Sequence, residues 1–166
     1  MLAASIATEE AMDFSQLVKK FAAAAAAGNG DALTELFTPE GTYDDYFFGP
    51  CKGRAAIKEM LSHFAEGGAN FRWEFFDPVV SGDIGYASYR FSFDSKRKEA
   101  NGARVTFDGI GRFDLENGKI RRYSEVFDRG MALAQQEFEP ERLRKIGLRY
   151  ANALKARPEW AGHVKP

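Results

Sequence analysis

At residue 71 the hydrophobic period of the chain changes, and that change limits the folds open to it. Before it, apolar residues recur at helical spacing. In "MDFSQLVKKFAAAAAAGNGDALTELFTPEG", residues 12–41, Phe14, Leu17, Val18 and Phe21 share a face, and the alanines that follow are the best helix formers. Gly28 and Gly30 are expected to end this helix, and Asp31 to cap a short second one carrying Leu33, Leu36 and Phe37. "GRAAIKEMLSHF" predicts a third helix, with Ile57, Leu61 and Phe64 on one side. From residue 71, "FRWEFFDPVV", "IGYASYRFSFDS", "ARVTFDGIGRFDLE" and "KIRRYSEVFD" predict four strands rich in aromatic and β-branched residues. The connections "SGD" and "ENGK" are short, which implies an antiparallel meander. Helices followed by a meander make an α+β fold. A last helix, in "EPERLRKIGLRYANALKARPEW", points Leu143, Ile146, Tyr150 and Leu154 inward. The expected layout is one domain over 1–138 and a helical extension over 139–166.

Fifteen Phe in 166 residues can build a core or line an apolar cavity. A net charge of −1 gives no reason to expect nucleic acid as a partner. Cys51 is the single cysteine, so no internal disulfide forms, and a reducing, cytoplasmic setting is expected. The start "MLAASIATEEAMDF" has no basic region before its short apolar run, so no signal peptide is expected. No apolar stretch is long enough to predict a membrane span. From Glu139 onward seven Lys or Arg stand against three acids. That face is either solvated or docks on an acidic body or a second subunit.

The stretch "GTYDDYFFGP", residues 41–50, sets Asp44 and Asp45 among Tyr43, Tyr46, Phe47 and Phe48. A turn explains it, because Asp is common where chains bend. A pocket mouth explains it too, since an apolar wall raises the pKa of a carboxyl and fits it for proton transfer. Adjacent side chains in an extended stretch point to opposite sides, so only one of the two acids enters such a pocket. Asp45 is the candidate base. Asp44, Tyr46 and Arg90 are candidates to steady developing charge.

The order of helices, "LFTPEGTYDD", "GRAAIKEML" and a meander ending "LENGKIRRYSEVFD" resembles the nuclear transport factor 2-like, or SnoaL-like, superfamily over about residues 12–135. The resemblance implies a cystatin-like α+β barrel: a cone-shaped, strongly bent antiparallel sheet wrapped around the N-terminal helices, with an apolar cavity. It also implies frequent dimers. The superfamily includes ketosteroid isomerase, scytalone dehydratase, polyketide cyclases, limonene epoxide hydrolase, lyases and non-catalytic binders. Against ketosteroid isomerase, Asp45 falls on the general base. Phe21 falls on an oxyanion-hole tyrosine and Gly111 near its second oxyanion residue, so steroid isomerisation is not expected. Against limonene epoxide hydrolase, Arg90 and Glu125 match two of three charged residues, and Ser92 stands where the third would be. Scytalone dehydratase has an Asp-Tyr pair like Asp45-Tyr46, but its two histidines have no match.

The candidate catalytic residues are therefore Asp45, Asp44, Tyr46, Arg90 and Glu125. Strand periodicity opposes Arg90, because Tyr89, Phe91 and Phe93 form the more apolar face. Phe21, Tyr43, Phe47, Phe48, His63, Trp73, Tyr123 and Phe127 are the candidate binding wall. His63 and His163 lie far apart without metal-ligand spacing, and no metal or cofactor is expected. "GIG" at 109–111 lies inside a strand, where glycines mark a bulge or bend rather than a nucleotide site. Three readings stand: a cofactor-independent lyase, dehydratase or isomerase acting on a bulky apolar, aromatic molecule; a binder of an apolar ligand; or a dimerisation module with a filled cavity. A homodimer through the outer sheet face is expected.

Overall fold

Small side chains bring the first helix onto the sheet. In the computed structural model, which describes residues 2–164 with side chains from Phe14 to Val164, helix α1 spans Leu2–Ala26 and buries Ala22, Ala24 and Ala25 beside Phe14, Val18 and Phe21. The start of the chain, with its expected lack of a signal peptide, lies largely outside the described side chains. Helix α2 (Gly30–Glu35) is capped by Asn29, whose side chain accepts from the Ala32 N–H. Asp31 was the expected cap; it lies one residue too far along, inside the first turn, and pairs instead with Lys58 at 2.7 Å.

Two strands not read from the sequence follow. Strands β1 (Phe37–Asp45) and β2 (Gly49–Lys52) form a hairpin around the 46–48 turn. Helix α3 (Arg54–Gly67) leads into the four expected strands, β3 (Gly68–Ser81), β4 (Ile84–Ser95), β5 (Arg104–Glu116) and β6 (Lys119–Phe127). They form one curved, unclosed six-stranded sheet in the order β2-β1-β6-β5-β4-β3. All pairs are antiparallel except β1–β6, which is parallel. The sheet wraps the helices on its concave side, so the fold is the expected α+β cone.

No bulge lies at the glycines of β5. The register shifts lie in edge strand β3 around Asn70 and Asp77, each in the left-handed region with φ of 52° and 50°, in the β5–β6 pair between Asp114 and Leu115, and in the β1–β6 pair between Phe37 and Thr42. Gly109 and Gly111 sit in unbroken register. Their role is clearance for aromatic rings.

Helices α4 (Arg129–Ala134) and α5 (Pro140–Lys155) follow the sheet, and a short helix α6 (Ala161–Val164) comes after them. Helix α5 buries none of its residues, although Leu143, Ile146, Tyr150 and Leu154 lie partly covered on one side. No helix among the described residues is long and apolar enough to cross a membrane.

Candidate active site

Alternation along two neighbouring strands builds a polar centre in an aromatic wall. Strands β1 and β6 set Tyr43 opposite Tyr123 and Asp44 opposite Ser124. Side chains alternate across a strand, so Tyr43 and Asp45 share the concave face with Tyr123, Glu125 and Phe127. Asp45 and Glu125 are thereby neighbours across the strand pair. Tyr89 reaches them from β4, two strands away. It pairs with Gly109, where an added Cβ would lie 2.6 Å from the Tyr89 hydroxyl, while one at Gly111 would lie 3.0 Å from the Tyr123 ring. The absent side chains of β5 are what let both phenols converge on Glu125.

Glu125 is partly buried, with its accessible edge on a cavity. Tyr123 donates its hydroxyl to Glu125 Oε2 at 3.0 Å. Burial pushes the Glu125 carboxyl up to about 8; the Asp45 charge adds to the rise, and the Tyr89 and Tyr123 hydroxyls oppose it. Tyr89 contributes from a geometry short of a formed hydrogen bond, since its buried hydroxyl has no partner. Burial also raises Tyr43, Tyr89 and Tyr123, with the Glu125 charge next in importance, so all three stay protonated donors. The Tyr43 hydroxyl and Trp73 Nε1 are likewise buried without partners.

Asp45 meets both explanations of its motif. Its Oδ1 accepts from the Phe47 and Phe48 N–H groups at 2.8 and 2.7 Å, which fixes the turn. It is also 5% exposed on the cavity wall. Burial raises its pKa, and the two N–H bonds hold part of that rise back. Its Oδ2 makes no hydrogen bond among the described residues. Asp44 points the other way and pairs with Arg122.

The cavity has a volume of about 1440 Å³. This exceeds the usual range for small-molecule sites, and the lining has an inner and an outer part. The inner one is walled by Trp73, Tyr89, Phe91, Phe107 and Phe127. The outer one lies between the 46–50 turn and α5 and reaches round the strand end to Arg122. There the Arg129 guanidinium sits between the Tyr46 and Tyr150 rings, 3.6 and 3.5 Å from their centres, and donates to the Tyr46 carbonyl at 2.8 Å.

A curved sheet around helices matches a known domain. The family model for the SnoaL-like domain aligns with residues 18–123. The chain belongs to the SnoaL-like domain family. Solved structures agree on the fold. A protein of ketosteroid isomerase-like fold from Catenulispora acidiphila superposes with a TM-score of 0.66 at 21% identity, over 75% of this chain and 97% of that one. A candidate polyketide cyclase from Xanthomonas campestris gives 0.64 at 20% identity, over 76% and 98%. An epoxide hydrolase from M. tuberculosis, similar to limonene epoxide hydrolase, gives 0.62 at 16%, over 76% and 91%. No curated protein sequence matches the chain.

Within this SnoaL-like cone, the expected residues separate. Asp44, Asp45, Tyr46, Glu125, Tyr43, Phe47, Phe48, His63, Trp73 and Phe127 touch the cavity. Three do not. Phe21 is wholly buried in packed rings and belongs to the core. Tyr123 is buried behind Glu125 and acts on it through its hydroxyl. Arg90 lies on the convex face, over the Phe76 ring at 4.3 Å and 3.6 Å from Glu74, so strand periodicity overrules the epoxide-hydrolase resemblance. Tyr46 serves as a platform for Arg129. His63 is half exposed at the outer edge, 3.4 Å from Glu66. Cys51 has a thiol pushed up by burial and by Asp45 and Asp44, so it is a poor nucleophile. Among the described residues no group of three or more His, Cys, Asp or Glu is arranged to hold a metal. The functional candidate that sequence reasoning missed is Tyr89. Its signal was present, in the two glycines one residue apart on the next strand.

Proposed function

We propose that the chain is a cofactor-independent acid–base enzyme, a lyase, dehydratase or isomerase acting on a bulky, aromatic small molecule. The observation that carries this reading is a pair of adjacent acids held differently beside an unpartnered phenol. Environments that push two carboxyls apart assign the acid and the base. Glu125, raised to about 8, is the protonated partner near neutral pH. Asp45, anchored by two N–H bonds, is the ionised one. Asp45 Oδ2 takes a proton from carbon next to a carbonyl. Glu125 gives its proton to the carbonyl oxygen, and the Tyr89 hydroxyl donates to the same oxygen. In a β,γ-unsaturated ketone, Asp45 returns its proton to the γ-carbon and the enol O–H returns its proton to Glu125, which gives isomerisation. In a β-hydroxy ketone, Asp45 gives its proton to the β-hydroxyl, which leaves as water while the enol O–H returns its proton to Glu125, which gives dehydration. A candidate polyketide cyclase and an epoxide hydrolase share this fold.

Deuterium exchange into 2-tetralone, followed by NMR in D2O, tests the proton transfer without the natural substrate. Asp45→Asn should lower exchange by about a hundredfold or more, and Asp44→Asn by little. Exchange that survives Asp45→Asn sinks the assignment. Absence of exchange in a chain that still binds aromatic ketones favours a binding protein, which the orphaned Tyr43 and Trp73 donors would also serve.

The same reading includes a homodimer through the convex face, where Val79 and Ile110 are 63% and 54% exposed. Light scattering on wild type and Ile110→Glu should give a dimer and a monomer. A wild-type monomer at micromolar concentration removes the dimer.

A further inference from the structure

Helix α5 sorts its basic residues by side. Arg144 and Lys145 lie away from the cavity, each 3.9 Å from Glu141. Arg142 and Arg149 on the helix, and Arg157 just past its end, line the cavity, and among the described residues none of them makes a salt bridge. Between them Ile146, Tyr150 and Leu154 face the same space. In all, five arginines and three carboxyls line the cavity. Asp44 is matched by Arg122, and Arg129 is locked between two rings with its charge at the mouth. The acids cluster at the inner wall and the unmatched cations at the α5 side. A positive mouth on a chain of net charge −1 draws in and orients an anion.

We propose that the ligand is an amphiphilic acid, with a fused or multi-ring apolar body in the inner space and an anionic head against Arg142 and Arg149. This rests on the reading that the inner space holds a bulky apolar molecule, and it adds polarity and direction. The head at α5 leaves the ring system beside Asp45 and Glu125, where an anion would be repelled by the ionised Asp45. The partly covered apolar side of α5 then lies over the ring edge.

Two fluorescent probes separate body from head. 1-Anilinonaphthalene-8-sulfonate and N-phenyl-1-naphthylamine share the ring system, and only the first carries a sulfonate. Titration of the full chain should show the sulfonate binding about tenfold more tightly at low salt, which corresponds to about 1.4 kcal/mol. The margin should shrink as salt rises. The Arg142→Gln/Arg149→Gln double variant should lose the margin while keeping its affinity for the neutral probe, which also reports that the cavity is intact. Equal affinity for the two probes, or a variant that weakens both alike, overturns the inference. So does failure of both probes to bind. The tetralone exchange assay is independent: loss of exchange with the sulfonate margin intact overturns the acid–base reading alone.

Discussion

At one end of the concave face, Phe21 has six rings around it, with centres 4.6 to 6.2 Å away and no space between. At the other end, Tyr89, Phe91 and Phe107 line a void. Both ends use the same residue types on the same sheet. The difference is the helix. Helix α1 fills the closed end with Phe14, Val18 and Phe21, whereas the open end is crossed by α5, which buries nothing. Tyr43 and Trp73 stand between, touching Phe21 on one side and the cavity on the other. An aromatic-rich composition therefore does not make a pocket. A pocket results where the plug stops.

The sharpest test of that division is truncation at each end. Phe21→Ala opens a hole in close packing and should cost about 3–5 kcal/mol. Phe91→Ala only widens an existing void, so it should cost about 1–2 kcal/mol, because little new cavity is made. Urea unfolding of both variants would measure this. Equal costs would mean that the open end is as fully packed as the closed one.

Gly109→Ala probes the boundary. The added methyl would lie 2.6 Å from the Tyr89 ring and 2.6 Å from the Val126 carbonyl. The ring can swing into the cavity, but the carbonyl is backbone and cannot. Overpacking of this kind costs about 1–3 kcal/mol. The variant should also lower tetralone exchange, because it displaces the Tyr89 hydroxyl. Retained exchange with lowered stability would show that Tyr89 need not lie over Gly109 to act.

Much of this was legible beforehand, and the misses share a cause. The four long strands and the meander came from local alternation and short turns. Strands β1 and β2 hid behind Pro39, Gly41, Gly49 and Pro50, which read as loop; β1 is held by parallel pairing with a distant strand, β6, and its register breaks between Phe37 and Thr42. Asp45 was legible because its motif is contiguous. Tyr89 was not, because its role depends on side chains missing from a different strand. The basic side of α5 was visible as composition, but which arginines face inward depends on where the helix crosses.

Glu125 gives the open end a pH signature that the closed end lacks. Its carboxyl rises from an unfolded value near 4.5 to about 8 in the fold. Between these values the unfolded chain releases a proton that the folded chain keeps. The stability contribution is thus whole below about 4.5, and it is lost as pH rises toward about 8. Glu125→Gln should flatten this slope and raise Tm at pH 8.5, by about 2–4 °C for each kcal/mol recovered, with little change at pH 4.5. A thermal scan across pH gives the answer. Parallel curves for the two proteins would mean that Glu125 is already ionised at neutral pH, and the acid and base roles would then have to be exchanged.

The smallest expected effect concerns Arg90. The epoxide-hydrolase resemblance puts it at the chemistry, and strand alternation puts it outside. Its side chain is 66% exposed, its partner Glu74 is 70% exposed, and they are 3.6 Å apart. Such a pair is screened by water and salt and is worth about 0–1 kcal/mol. Stacking on Phe76 adds a similar small amount. Arg90→Ala should therefore shift stability by less than about 1 kcal/mol and leave exchange and probe binding unchanged. A large loss of exchange with stability intact would carry the argument back to the resemblance, because a convex-face arginine has no path to the substrate. Loss of the proposed dimer without loss of exchange would instead place Arg90 in the proposed subunit contact, on the convex face that also exposes Val79 and Ile110.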